Sequence, residues 1–185
     1  FGKTVMANMV ASYFGKAIDS SFVFEHLAIA KSPVYEEYIN KYDVIYIDFS
    51  RLPENCQTYE EYINRIKTDL LEEFSELELK EEMSLWDILA KIFQKTNRKF
   101  MFIMDEWDAI FHMPFISQKE RQEYLLFLKN LLKDQVYVEL AYMTGILPIA
   151  KYSAASELNM FVEYNMATRE RFSSYFGFSE EEVDK

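Results

Sequence analysis

Phe100-Met101-Phe102-Ile103-Met104-Asp105-Glu106-Trp107-Asp108 decides how the chain is read. Five apolar residues run without a break into two carboxylates, with Arg98 and Lys99 bounding the run on its other side. The length suits a strand. A continuous apolar run, as opposed to an alternating one, predicts a strand buried on both faces, as in a parallel sheet covered by helices. Acids at the C-terminal end of such a strand fall on the edge where α/β sheets bind their ligands.

Working outward, the chain opens on Phe1-Gly2-Lys3-Thr4. Gly-Lys-Thr is the back half of the phosphate-binding loop G-x-x-x-x-G-K-[ST]. Val5, Met6, Met9, Val10, Tyr13 and Phe14 follow at the spacing of one helix face, with Gly15 as a left-handed cap. A phosphate loop requires a helix here, because the free N–H groups and dipole of a helix N-terminus favour an anion. Gly2 would let the backbone approach the phosphates, Lys3 would reach the outer ones, and the Thr4 hydroxyl would bind Mg²⁺. Gly-Lys-Thr and an apolar strand ending in Asp-Glu together describe a nucleoside triphosphatase. Asp105 would hold Mg²⁺, largely through water. Glu106 would orient and polarise the attacking water. Gly-Lys-Thr alone also describes an ordinary polar first turn.

Two further strands are expected. Val44-Ile45-Tyr46-Ile47-Asp48-Phe49-Ser50 is the first. Asp48 either joins the metal site or starts the turn continued by Arg51-Leu52-Pro53, and the turn is preferred. Val136 to Met143 is the other, ending in Thr144-Gly145. Thr144 is placed to sense a terminal phosphate, though Thr-Gly also simply ends a strand. Helices fill the intervals. Thr58-Tyr59-Glu60-Glu61 is a capping box ahead of a stripe of Tyr62, Ile63, Ile66, Leu70 and Phe74. Residues 72–82 read as a solvated connection. Ser84 opens a helix burying Leu85, Ile88, Leu89, Ile92 and Phe93. Ser117 to Glu120 caps one burying Tyr124, Leu125, Leu128, Leu131 and Leu132. Residues 18–41 are mixed, with Phe22, Phe24, Leu27 and Ile29 apolar. Strands alternating with helices predict a parallel sheet with helices on both faces. Trp107 is expected against the end of the third strand. Asp108 is either a third acid at the rim or, preferably, a cap. His26 is packed or on the surface, and His112 is packed near the rim.

Composition narrows the class. At 185 residues, 50% hydrophobic, the chain has enough apolar content for one sizeable core, so residues 1–185 are taken as a single domain. No apolar run approaches the ~18 residues of a membrane span. One cysteine, Cys56, rules out an internal disulfide and fits a reducing compartment, so a cytoplasmic location is expected. A net charge of −11 argues against a broad nucleic-acid footprint. Both ends read as cuts in a longer protein. The chain opens inside the loop, so the first strand and the loop's front are expected to be missing, and it closes on acids that begin a helix.

The chain resembles the bacterial AAA-ATPase-like family, whose members often carry a PD-(D/E)XK-type nuclease domain further along. Phe1-Gly2-Lys3-Thr4 is similar to the end of that family's phosphate loop, and Ile47-Asp48-Phe49-Ser50 to its second-strand signature. Ile103 to Asp108 resembles its Asp-Glu-Tyr-Asp Walker B box, with Trp107 for Tyr. Thr144 to Ile149 with Ser156-Glu157-Leu158-Asn159 resembles the segment after its sensor strand, and Tyr175 to Val183 its Phe-Gly-Phe-Thr-Glu-Glu-Glu-Val box. The resemblance implies a P-loop α/β fold of the AAA-like class and ATP with Mg²⁺ as ligands. It places Lys3, Thr4, Asp105, Glu106 and Thr144 at the nucleotide. A downstream nuclease-like domain would be the partner, and nucleic acid would be reached only through it. Arg169 and Arg171 are either charge-stabilising fingers or a solvated helix face. Two other functions stay open. One is a non-hydrolysing P-loop scaffold that contacts proteins through its many aromatics; the other is a two-metal phosphodiesterase built on Asp48, Asp105 and Glu106.

Overall fold

The computed structural model describes residues 2–51, 58–113, 116–149 and 158–164. Three strands, β1 (Asp43–Asp48), β2 (Phe100–Asp105) and β3 (Val138–Met143), form one parallel sheet in the order β1-β2-β3. Asp43 pairs with Phe100 and Asp48 with Asp105, so the acid-bearing ends of β1 and β2 finish level.

β2 is buried at every position, and its continuous apolar run follows from that. Phe100, Phe102 and Met104 point into the main core with Ile47 and Phe49. Helices α4 (Tyr59–Glu73), α5 (Leu85–Thr96) and α6 (Gln118–Leu132) supply the other side of that core through Leu70, Ile88, Leu89, Ile92, Tyr124 and Leu128. Met101 and Ile103 are as buried but lie outside that cluster; strand alternation puts them on the opposite face. Helix α1 (Lys3–Phe14) covers that face over β1 and β2. The sheet is thus flanked by helices on both faces, as the alternation predicts.

The caps form where the sequence signals them. Thr58 with Glu61 and Ser117 with Glu120 are complete capping boxes, and Ser84 accepts from the Asp87 N–H. The expected buried residues of α5 and α6 are buried, except that Phe93 is only half-covered. The side chain of Tyr62 lies outside the described residues. Leu77 and Leu79, inside the connection expected to be solvated, pack partly on the core.

Three expectations are corrected. Gly15 is extended (φ −66, ψ 125), not left-handed, because the chain passes directly into a parallel bridge with Tyr42. A Cβ there would lie 2.7 Å from the Ala11 carbonyl oxygen, so the close approach and not a positive φ favours glycine. The third strand starts at Val138, two residues late, because Val136 is exposed and Tyr137 turns into the core. His112 is exposed, at the end of a single 3-10 turn (Ala109–His112) that points it outward. Of Phe22, Phe24, Leu27 and Ile29, only Phe24 is buried. It sits on the short helix α2 (Ser21–Phe24) and packs with Tyr13, Ile39 and Tyr35, the last on α3 (Tyr35–Tyr38), in a second small core. Phe22, Leu27 and Ile29 remain exposed. His26 is on the surface beside Glu25. The expectations resting on Cys56, Ser156-Glu157, Arg169, Arg171 and Tyr175 to Val183 lie outside the described residues.

Candidate functional site

The site is built where β2 ends. Asp105 is 1% exposed, and its alternation with Met101 and Ile103 turns it to the α1 face. Burying a carboxylate is costly unless its oxygens find donors. Here the Thr144 hydroxyl donates to Asp105 Oδ1, joined by the Glu106 backbone N–H at 3.2 Å. Oδ2 has only a long 3.5 Å contact from the Tyr46 hydroxyl. Tyr46 lies on β1 on the same face, because its register partner is Ile103. Burial, then the Asp105 charge, pushes the Tyr46 phenol up to about 12. The same two causes, in that order, raise Tyr142. Both phenols therefore stay protonated at neutral pH, and Tyr46 remains a donor.

Glu106 turns the chain. Its φ is +51, a left-handed conformation for a side chain of this size. Three contacts keep it there: its N–H meets Asp105 Oδ1 and, at 3.4 Å, Thr144 Oγ1, while its carbonyl accepts from the Ala109 N–H at 2.9 Å. Strained backbone that is over-determined by its surroundings is a mark of functional corners. The turn leaves the Glu106 side chain half-exposed beside a buried Asp105. Adjacent acids therefore have unequal surroundings, one fixed and one reaching solvent.

Thr144 is buried, and its hydroxyl is engaged with Asp105. Its backbone continues the sheet, with its N–H on the Met104 carbonyl (2.9 Å) and its carbonyl accepting from the Trp107 N–H (3.0 Å). Trp107 packs against Gly145, as expected for the end of the third strand; a Cβ on Gly145 would stand 2.5 Å from the indole. Asp108 occupies the cap position of the 3-10 turn, but its side chain caps nothing there. Its Oδ2 instead accepts from the Ile146 and Leu147 N–H groups at 3.0 and 2.7 Å. Sequence reasoning missed this tie because the donors lie almost forty residues away. It also missed Tyr46, whose only signal is its spacing of two from Asp48 on a strand beside β2.

Asp48 takes the turn role. Its Oδ1 accepts from the Ser50 N–H (3.0 Å) and hydroxyl (2.6 Å), and its Oδ2 pairs with Arg51 at 3.2 Å. Among the described residues no group of three or more His, Cys, Asp or Glu side chains converges to hold a metal. Two-metal phosphodiesterase chemistry needs such a cluster. Magnesium does not, since it is commonly held by one or two carboxylates, waters and substrate phosphates. The partly free Oδ2 of Asp105 fits that donor set.

Gly2, Lys3 and Thr4 form the start of α1. Gly2 is left-handed (φ 89), with nothing within 4 Å of where a Cβ would stand. The helix has neither a side-chain cap nor an acid in its first turn, unlike α4, α5 and α6. Its first N–H groups are open to an anion. The other end of α1 is fixed to the start of β1: Tyr42 donates to the Phe14 carbonyl (2.8 Å), and Lys16 pairs with Asp43 at 2.8 Å. A 12-residue helix spans about 18 Å, close to the roughly 20 Å of a six-residue strand. α1 packs along both β1 and β2. Lys3 and Thr4 make no side-chain hydrogen bond or ion pair with a described residue.

A parallel sheet with helices on both faces and paired acids at its C-terminal edge defines an α/β protein. Residues 1–155 match the family described as predicted AAA-ATPase, and the chain belongs to this AAA-ATPase-like family. No curated protein and no solved structure matches it. Among the described residues no helix is long and apolar enough to cross a membrane.

Proposed function

We propose that the chain is the ATP-binding and ATP-hydrolysing core of a multidomain cytoplasmic protein, in which ATP turnover sets the state of an attached effector. One observation carries this: a fixed, buried Asp105 is followed by a left-handed, solvent-reaching Glu106 at the end of the central strand. The family match and the uncapped start of α1 support it. The nuclease-like character of the effector rests on the resemblance of Thr144–Ile149 and Tyr175–Val183 alone.

Gly2 and the first N–H groups of α1 would receive the phosphates, and Lys3 would neutralise the outer ones. The Thr4 hydroxyl and Asp105 Oδ2 would hold Mg²⁺, which supplies charge neutralisation between the phosphates when bound. The Thr144 hydroxyl and the Glu106 N–H hold the Asp105 carboxylate in its orientation. The Glu106 carboxylate orients a water and accepts its proton at a carboxylate oxygen as that water attacks.

The test uses the full-length protein with Mg²⁺. ATP binding is expected by calorimetry, and Lys3→Ala should abolish it. Glu106→Gln should keep binding and lower turnover by about 10²–10⁴-fold, the usual worth of a positioned base. A wild-type protein that binds no ATP would end the proposal. Bound ATP with turnover untouched by Glu106→Gln would favour the non-hydrolysing scaffold.

A further inference from the structure

We propose that Asp108 is a positioning residue that latches the loop after β3 and thereby holds Thr144 on Asp105. The inference rests on the nucleotide reading above for its consequence in turnover, but not for the latch itself. Asp108 is 1% exposed, and its carboxylate is held on one side only. Oδ2 accepts two consecutive backbone N–H groups, from Ile146 and Leu147, while Oδ1 has no hydrogen-bond partner among the described residues. A buried carboxylate oxygen without a donor is expensive and calls for a reason.

The surroundings supply a reason. Gly145 stands between Thr144 and the two N–H groups, pressed so close that a Cβ would lie 2.7 Å from Asp108 Oδ1 and 2.5 Å from Trp107. Trp107 donates its N–H to the Thr144 carbonyl and accepts from the Tyr124 hydroxyl at 2.7 Å. The segment from Asp105 to Asp108 therefore grips the segment from Thr144 to Leu147 at both ends. At one end a threonine hydroxyl donates to an aspartate, and at the other an aspartate accepts backbone amides. Movement of Ile146 and Leu147 off Asp108 would draw Gly145 away from Trp107 and the Thr144 hydroxyl away from Asp105. The two amide bonds to Oδ2 hold the loop, while Oδ1, without a partner among the described residues, leaves the carboxylate underpaired. Such a clasp can open and close, and it would tie the loop's position to the geometry of Asp105.

The test compares Asp108→Ala and Asp108→Asn in the full-length protein, by amide exchange and by ATPase kinetics. In Asp108→Ala the Ile146 and Leu147 amides should exchange about tenfold faster or more, as for any amide released from a buried acceptor. kcat should fall by at least about tenfold with KM within about twofold, the pattern of a misplaced catalytic group. Asp108→Asn, which keeps an acceptor oxygen, should restore amide protection and most of the rate. Unchanged exchange in Asp108→Ala overturns the latch. Faster exchange with an unchanged kcat overturns the link to Asp105. Equal losses of kcat and KM performance in both variants, with a matching fall in melting temperature, reduce Asp108 to a structural clasp and overturn the proposal. A wild type that neither binds nor hydrolyses ATP shows instead that the nucleotide reading has failed; the exchange result then decides the latch alone.

Discussion

At the scale of single residues, the arrangement turns on how the oxygens of the buried Asp105 find donors. Its Oδ1 has two donors and its Oδ2 one distant phenol. Thr144 is therefore more than a strand terminator. Thr144→Val keeps the shape but removes the hydroxyl, leaving Oδ1 with the Glu106 N–H alone. That should cost about 1–3 kcal/mol in chemical denaturation, the penalty for an underpaired buried group. An unchanged midpoint would mean that the Thr144 hydroxyl is not needed to pair Asp105 in solution. Glu106 adds a second local cost, its positive φ, sustained by contacts at both its N–H and its carbonyl.

At the scale of elements, the long helices divide into two kinds. α4, α5 and α6 begin with Ser or Thr caps and carry acids in their first turns. Their ends are closed, and their apolar faces complete the main core. Ser117→Ala should accordingly destabilise the protein by about 1 kcal/mol, read from the shift in its urea midpoint. No change there would show that water replaces the cap without loss. α1 begins on Gly-Lys-Thr with no cap and no acid, so its N–H groups remain available for a ligand. Its other end is closed by the pairing of Gly15 and Tyr42, which replaces the glycine cap expected from sequence.

At the scale of the whole molecule, one carboxylate ties together three parts of the chain. Asp43 at the start of β1 accepts from Lys16 after α1 and from both Nε and Nη2 of Arg98 before β2. Arg98 also lies over the Phe74 ring, 4.8 Å from its centroid. Burial pushes the Asp43 carboxyl up, but the hydrogen bonds from Arg98 and Lys16 outweigh it and hold the carboxyl below its ordinary value. A folded pKa below the unfolded one means the tie contributes fully above the unfolded value, about 3.9. Its contribution is lost as pH falls from there through the folded value. The stability gap between wild type and Asp43→Asn should be constant near neutrality and close as pH falls below about 4, measured by thermal melting across pH. A gap that widened in acid would contradict the assignment.

How much of this was legible in the sequence follows from the range of the forces involved. The continuous run Phe100–Met104 predicts a strand buried on both faces, and β2 is one, because burial on both faces removes the need for polar alternation. Thr58, Ser84 and Ser117 announce their helices because a cap acts within one turn. The parallel sheet followed from alternation alone. By contrast, local pattern misplaced Gly15, the start of β3 and His112, where pairing or exposure is set by distant chain.

The sequence by itself determined the elements, the α/β class and the two acids at the end of the central strand, since these depend on periodicity and on neighbours within a few residues. Only the tertiary structure decided that Thr144 donates to Asp105, that Tyr46 faces the same carboxylate, and that Asp108 leaves its own turn to hold Ile146 and Leu147. Those contacts join strands far apart in the chain, and a buried carboxylate takes whatever donors the sheet register brings to it.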